Sequence, residues 1–468
     1  MAIIKTDDKH YHDISAKIRE KTGGEKTYKP VQMPSGVDEV YEVAYAKGKA
    51  EAEPPAPTMP TATDGRTSLA FWYQPFFYPI WQCWTDEAYD EQGIEFIRPS
   101  DRAYESLPFP TGTQGITNFG GFTRVIMGEY NIDAEHPIVV KKFTGTLDVS
   151  GTTSLNSLFG GIRELEEVGQ IVGSGKVKDF SFMFSYCEAL KTIPALDTSS
   201  ANNCYMMFRE CSALQALPSL DVSKATNLNS MFYNCTALES VNIFNTQNVT
   251  NFSSMFYGCK SLVSLPPLDT SKGTSLKSMF NGCTALTTVP TLDASNATDT
   301  SQIFQNCSSL KSVPKLNSAK SVSFYASFAG CSSLVEAPEI DTSSATNTSW
   351  MFRGCTSLYR VPPLNLSKVT NFTEMFLNCS ALEHFIASGT IGANGFNMKW
   401  SKKLDKESLT SIVNALSTET ESLPIVLSLT AVKNAFETSQ GAADGNTSAE
   451  WLSLVATRPN WTISLVDA

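Results

Sequence analysis

The sequence predicts an α/β repeat solenoid with a short strand and a short helix or 3₁₀ turn in each coil. An N-terminal helical segment and a β-rich domain precede it, and an α/β cap closes it. Three observations predict this. Cysteine recurs every 24 residues at Cys187, Cys211, Cys235, Cys259, Cys283, Cys307, Cys331, Cys355 and Cys379. Phenylalanine keeps the same register from Phe184 through Phe208 and onward to Phe376, and leucine from Leu190 through Leu214 to Leu382. Between them the unit reads roughly N-[FL]-x-S-M-F-x-[GN]-C-[ST]-[AS]-L-x-x-[VL]-P-x-L-D-[TV]-S-x-A-T. A fixed period of this length marks coils that stack, because one coil is too small to bury its own apolar face.

Each part of the unit has a physical reading. In Thr250-Asn251-Phe252 and the residues after it, apolar positions fall at i, i+3 and i+4 behind a capping side chain, which predicts a short helix or 3₁₀ turn. The piece L-x-x-V-P-x-L is too short for a helix and holds a proline, so it predicts a brief strand or extended side. The column Asp197, Asp221, Asn245, Asp269, Asp293, Asn317, Asp341 and Asn365 turns the corner, each side chain able to accept a backbone N–H two residues on. Stacked carboxylates could also hold cations, but turn capping explains the same residues without a ligand.

Stacking at strand spacing places like on like, roughly 5 Å apart. Phenylalanine, cysteine and leucine then form internal columns, and a thiol is small, apolar in behaviour and a weak donor to nearby carbonyls. Parallel Cβ vectors do not converge as a disulfide requires, so the expectation is free, buried thiols. The repeats occupy 147–388. LDVSGTTSLNSLFGG (147–161) is a degenerate first coil, with Ile162 near the cysteine position and a 25-residue step from Phe159 to Phe184.

The repeat fails after Leu382, and 389–468 reads as the cap. Leu409, Ile412, Val413 and Leu416 share a helical face, while PIVLSL (424–429) and NWTISLV (460–466) suit strands. At the other end, Tyr11, Ile14 and Ile18, then Val37, Val40 and Ala44, predict a helical attachment segment over 1–50. A proline-rich linker follows over 51–68, then an aromatic β-rich domain over 69–146 that begins LAFWYQPFFYPIWQCW.

Composition narrows the function. With 36 Lys and Arg against 47 Asp and Glu the net charge is −11, which argues against nucleic acid and anionic membrane as main partners. No run of apolar residues is long enough to span a bilayer, and the start shows no secretory signal. GSGK (173–176) lacks the flanking residues of a phosphate loop. His10-Tyr11-His12 could ring a metal on a symmetry axis but reads as solvated surface, and the rings from Phe71 to Trp84 read as core before sugar-stacking surface. No catalytic residue, metal or cofactor is assigned, so the expectation is a protein that is not an enzyme. Two partner-binding candidates stand out where the repeat allows any residue: Glu336, Tyr359, Arg360 and His384 on the extended side, and Arg209, Tyr233 and Tyr257 elsewhere in the coil.

Repeats such as TNFSSMFYGCKSLVSLPPLDTSK resemble the BspA-like leucine-rich-repeat proteins of bacteria and their viruses, with Asn242 in place of the usual proline and Ser327 in place of methionine. The opening KHYHDISAKIREKTGGEKTYKPVQMPSGVDEV is similar to the leader of phage and prophage tail proteins. Together the resemblances imply a phage virion protein, a tail fibre, baseplate or receptor-binding subunit. It would join other virion proteins through its N-terminal segment, with a homotrimer expected, and present the repeats to a host surface protein or glycan. The alternatives are a bacterial cell-surface adhesin of the same repeat family and a glycan-acting enzyme housed in 69–146.

Overall fold

The computed structural model describes residues 139–393, 395–418, 423–436 and 448–467, together with short strands between 69 and 126. The expected helical segment, its linker and the His10-Tyr11-His12 cluster lie outside the described residues. The chain divides into two compact units, Met1–Ser200 and Ala201–Ala468.

In the first unit the strands are β1 (Leu69–Tyr73), β2 (Tyr78–Trp84), β3 (Ala103–Tyr104), β4 (Leu107–Pro108), β5 (Ile116–Asn118), β6 (Arg124–Ile126), β7 (Val139–Val140), β8 (Lys142–Asp148) and β9 (Glu167–Val172). The aromatic run forms an antiparallel pair, β1 with β2, which β6 extends. β4 and β5 both pair in parallel with β8, and β9 pairs in parallel along nearly its whole length. β8 has two edges, so β4 and β5 share one of them and β9 takes the other. Parallel pairing therefore reaches back to Ala103, where β3 pairs with β7, earlier than the repeat can be read in sequence. Phe143, Phe159 and Phe184 continue the interior, with centroids 5.5 and 5.3 Å apart.

In the second unit like does sit on like. Phe208, Phe232, Phe256, Phe280, Phe304, Phe328, Phe352 and Phe376 form one buried stack with centroids 5.5 to 5.7 Å apart. Each thiol beside it has a defined partner. Cys259 Sγ donates to the carbonyl of Phe232 at 3.1 Å, Cys283 to Phe256 at 3.0 Å and Cys307 to Phe280 at 3.0 Å, and the series continues to Cys379. The same carbonyl accepts its own coil's cysteine amide, as Phe256 O does from Cys259 N at 3.1 Å. Both lone pairs are thus used, one within the coil and one by the next coil. The ten cysteines from Cys187 to Cys379, Cys204 among them, are buried and free of disulfides.

The N-[FL]-x-S-M-F segment is neither an α-helix nor a 3₁₀ helix. It is a run of consecutive turns broken twice per coil by a left-handed residue, for example Ser254 at φ 55° and Gly258 at φ 71°. The reason is the hydrogen-bond pattern. Amides alternate between an i→i−3 bond, as Met255 N to Phe252 O, and a bond to the next coil, as Phe256 N to Met279 O. A helix would point every amide along its own axis and leave none for the neighbour. At Gly258 the positive φ suits glycine, which also leaves room for the Asn234 side chain, while asparagine holds the same position at Asn234, Asn306 and Asn378.

The extended side also departs from expectation. Strands appear only as β10 (Leu220–Asp221) with β11 (Ile243–Phe244), and β12 (Arg360–Asn365) with β13 (His384–Ser388), both parallel. Prolines such as Pro218, Pro266, Pro290 and Pro314 have no N–H to give a ladder, and even β12 is interrupted between Val361 and Leu364, where Pro362 and Pro363 stand. The continuous ladder runs instead along the capping positions, as bridges from Asn203 through Asn227, Asn251, Ser275, Asp299, Ser323 and Asn347 to Asn371. The aspartate column caps its turns: Asp221, Asp269, Asp293 and Asp341 accept from the amides of Ser223, Ser271, Ser295 and Ser343 at 2.8 to 3.0 Å. Ser327, out of pattern, keeps its buried hydroxyl satisfied by donating to Thr300 O at 2.9 Å.

The closing module holds α1 (Lys406–Ala415), β14 (Leu423–Leu427), α2 (Leu429–Phe436), α3 (Ala449–Val455) and β15 (Trp461–Leu465). α1 buries Leu409, Ile412 and Val413 as the pattern predicts, and β14 pairs in parallel with β15. The sequence pattern did not resolve α2 and α3. α1 closes the array by side chain: Ser408 Oγ accepts from Phe385 N at 2.9 Å and Ser411 Oγ from Ala387 N at 3.2 Å, so the edge of β13 is not left bare.

Two outcomes follow for this packing. Phe280→Ala should lower stability by about 3–5 kcal/mol and Cys283→Ala by about 1–3 kcal/mol, read from urea unfolding of the full chain. Burial pushes the thiols up, Cys331 to about 12 and Cys235, Cys259, Cys283, Cys307 and Cys355 well above the usual range. Thiols of the unfolded chain ionise near 8.5, so the array holds protons that the unfolded chain releases as pH rises. This stabilisation is complete below about pH 8.5 and is lost from there upward, at up to about 1.4 kcal/mol per thiol per pH unit. Unfolding midpoints should fall between about pH 8 and 10.5, less steeply when several of these cysteines are alanine.

Candidate recognition site

The extended-side candidate lies at the C-terminal end of the array. β12 and β13 place Arg360 opposite His384, and a bridge places Glu336 opposite Arg360. Tyr359 precedes this row, and its hydroxyl lies 2.7 Å from His384 Nε2, with the two rings edge-on at 4.8 Å. His384 Nδ1 lies 2.6 Å from Asp405 Oδ2. Asp405 is the N-cap of α1: its other oxygen accepts from Ser408 N at 2.8 Å, and its own amide donates to Glu383 O at 3.0 Å. In the tautomer that carries Nδ1–H, the imidazole donates to the Asp405 carboxylate and accepts a hydrogen bond from the Tyr359 hydroxyl at Nε2. The relay fixes an exposed phenol to the closing module. Among the described residues Arg360 makes no ion pair, with Glu336 or any other group.

Sequence reasoning missed Asp405. The D-x-x-S pattern in LDKESL marks it as a helix cap, but only the fold brings that cap to His384. It also missed Val335, which shares Tyr359's register one coil earlier and is 48% exposed.

The second candidate is assembled too. Arg209 lies over the Tyr233 ring at 5.2 Å, and Tyr233 stacks on Tyr257 at 4.4 Å with the two rings nearly parallel. Burial, with Tyr257 adding to it, raises the Tyr233 phenol. The stack runs along the column, so Tyr233 gives one ring face to Arg209 and the other to Tyr257. A third cluster, which the sequence reading did not single out, joins Tyr325, Trp350 and Arg353, with the guanidinium 4.3 Å from the indole centroid. In these clusters each ring packs against another ring or a guanidinium; among the described residues the one ring contact of Tyr359 is edge-on to His384. GSGK forms a 3₁₀ turn in which a Cβ on Gly175 would lie 2.6 Å from Asp197 Oδ2, so a carboxylate stands where a phosphate would have to approach. Among the described residues no group of side chains could hold a metal, and no helix is long and apolar enough to cross a membrane.

The fold and site define a stacked-coil repeat protein with a polar, aromatic patch at one end of the array. A family profile described as "Mycoplasma protein of unknown function, DUF285" matches residues 139–242, 237–339 and 274–389. Together these matches cover more than half of the 468 residues, and the chain belongs to that family. No curated protein matches it in sequence. Among solved structures it is similar to a leucine-rich cell surface protein from Faecalibacterium prausnitzii A2-165, at 15% identity over 70% of this chain and 97% of that one, with a TM-score of 0.35. It is also similar to the plant peptide hormone receptor RGFR1 in complex with RGF2, at 10% identity over 72% of this chain and 71% of that one, with a TM-score of 0.16. The family agrees with the resemblance of 147–388 to BspA-like repeats. The resemblance of residues 9–40 to phage tail proteins finds no support among these matches.

Burial works to raise the Asp405 carboxyl, but hydrogen bonds from Ser408 and His384 outweigh it and hold the group below the ordinary carboxylate range. Its stabilisation is present above the unfolded value near 3.9 and is lost as pH falls through the lower folded value. Asp405→Ala should cost about 1–2 kcal/mol at neutral pH, seen as faster hydrogen exchange of α1 amides. The difference from the unsubstituted chain should close as the medium is acidified below the ordinary carboxylate range.

Proposed function

We propose that the chain is a non-catalytic recognition protein of the BspA-like leucine-rich-repeat kind, displayed at a bacterial cell surface. The observation that carries this is the contrast between the fixed interior and the extended side. Interior columns are filled by Phe, Cys, Leu and Met with few exceptions such as Ser327, whereas the last coils carry a preorganised Tyr359, an Arg360 that makes no ion pair among the described residues and an exposed Val335. The conspicuous acids are committed to structure: the aspartate column to turns and Asp405 to a helix cap. A rigid array with a few fixed anchors suits binding, since little side-chain freedom is lost on contact.

A bacterial surface is favoured because the family is described from bacteria and the repeats resemble those of bacterial adhesins. A second reading, the virion subunit attached through its N-terminal segment as a trimer, rests on the leader at residues 9–40 alone. The two separate by location. Antibody labelling of intact, uninfected cells should find the chain on the envelope, and protease treatment of those cells should remove it. Recovery only in purified phage particles would transfer the conclusion to the virion reading.

A further inference from the structure

Opposite charges one coil apart in this protein normally meet. Lys142 and Glu167, register partners across β8 and β9, pair at 3.0 Å, and Lys315 pairs with Glu339 at 2.9 Å. Glu336 and Arg360 are also register partners and both are exposed, yet neither makes an ion pair or side-chain hydrogen bond among the described residues. The neighbouring acids are already engaged, Glu339 by Lys315 and Glu383 by Lys403 at 4.0 Å. Beside this unspent pair stand two apolar groups in one register, Val335 at 48% exposure and Tyr359 at 37%. Tyr359 is held by the relay through His384 to Asp405, so its ring is fixed before any partner arrives.

We propose that Tyr359, Val335, Glu336 and Arg360 form the anchor of a binding site for a polypeptide segment carrying an apolar residue between an acidic and a basic one, with Asp405 a positioning residue acting through His384. This rests on the recognition-protein reading above. A polypeptide fits better than a glycan because an exposed valine offers nothing to sugar hydroxyls, whereas Tyr, Arg and an aliphatic neighbour make the usual core of a protein contact. The partner's acid meets Arg360, its base meets Glu336, and its apolar residue lies against Tyr359 and Val335.

The test measures binding of the full chain to short synthetic peptides of acid–apolar–base order, of the reversed order and of a neutral version, with an oligosaccharide array alongside. Charged peptides of one order should bind, and the neutral version should bind at least about tenfold more weakly. The double reversal Glu336→Arg with Arg360→Glu should invert the preference between the two orders. Asp405→Asn, which keeps a helix cap, should weaken binding about three- to tenfold, and that loss should vanish when Tyr359 is already alanine. A merely structural role for Asp405 would weaken both backgrounds alike. The inference is overturned if no charged peptide binds, if the reversal leaves the preference unchanged, if the Asp405 effect survives in Tyr359→Ala, or if only oligosaccharides bind. A chain found on the envelope that ignores these peptides sinks this inference alone; charge-ordered binding by a chain confined to particles sinks only the location.

Discussion

The register of the array depends on one carbonyl per coil. Phe256 O takes the amide of Cys259 from its own coil and the thiol of Cys283 from the next, and the same arrangement recurs from coil to coil through the second unit. A buried carbonyl left with an unmet lone pair would cost stability at every step. The thiol is suited to this place because it donates weakly while occupying little more than an alanine and wetting nothing. The phenylalanine stack and the alternating amides then have one spacing to obey, and the two left-handed residues per coil follow from it.

Such an array has a problem at its ends, where amides that would meet another coil meet water. At the C-terminal end the protein solves it with serines. Ser408 and Ser411 project from the first turns of α1 and take the amides of Phe385 and Ala387, standing in for a coil that does not exist. The same helix start supplies Asp405, so the residue that caps α1 also orients His384 and, through it, Tyr359. Closure of the fold and rigidity of the patch are one structure seen from two sides.

The two aromatic clusters elsewhere differ in kind. Arg209, Tyr233 and Tyr257 are piled along one column, so both faces of Tyr233 are covered, whereas Trp350 meets Arg353 of its own coil and Tyr325 of the coil before. They stiffen the surface. Tyr359 is held at its hydroxyl and its edge, which is why the extended side, and not the more aromatic turn side, carries the functional proposal.

The sequence by itself determined the period, and the period determined most of the interior. A residue repeated at one position must meet itself in the next coil, so the identities of the Phe, Cys and Leu columns, the aspartate turn caps and the free state of the thiols could be read without coordinates. The helical face Leu409, Ile412 and Val413 was legible for the same reason, a local spacing that only one geometry satisfies. Tertiary structure alone decided which backbone amides point along the array, and that choice turned an expected helix into a run of turns and moved the bridge ladder to Asn203–Asn371. It also decided the site: Tyr359 and His384 share a repeat logic, but Asp405 stands outside the repeat, and no spacing in the chain announces that a helix cap will close against the last coil.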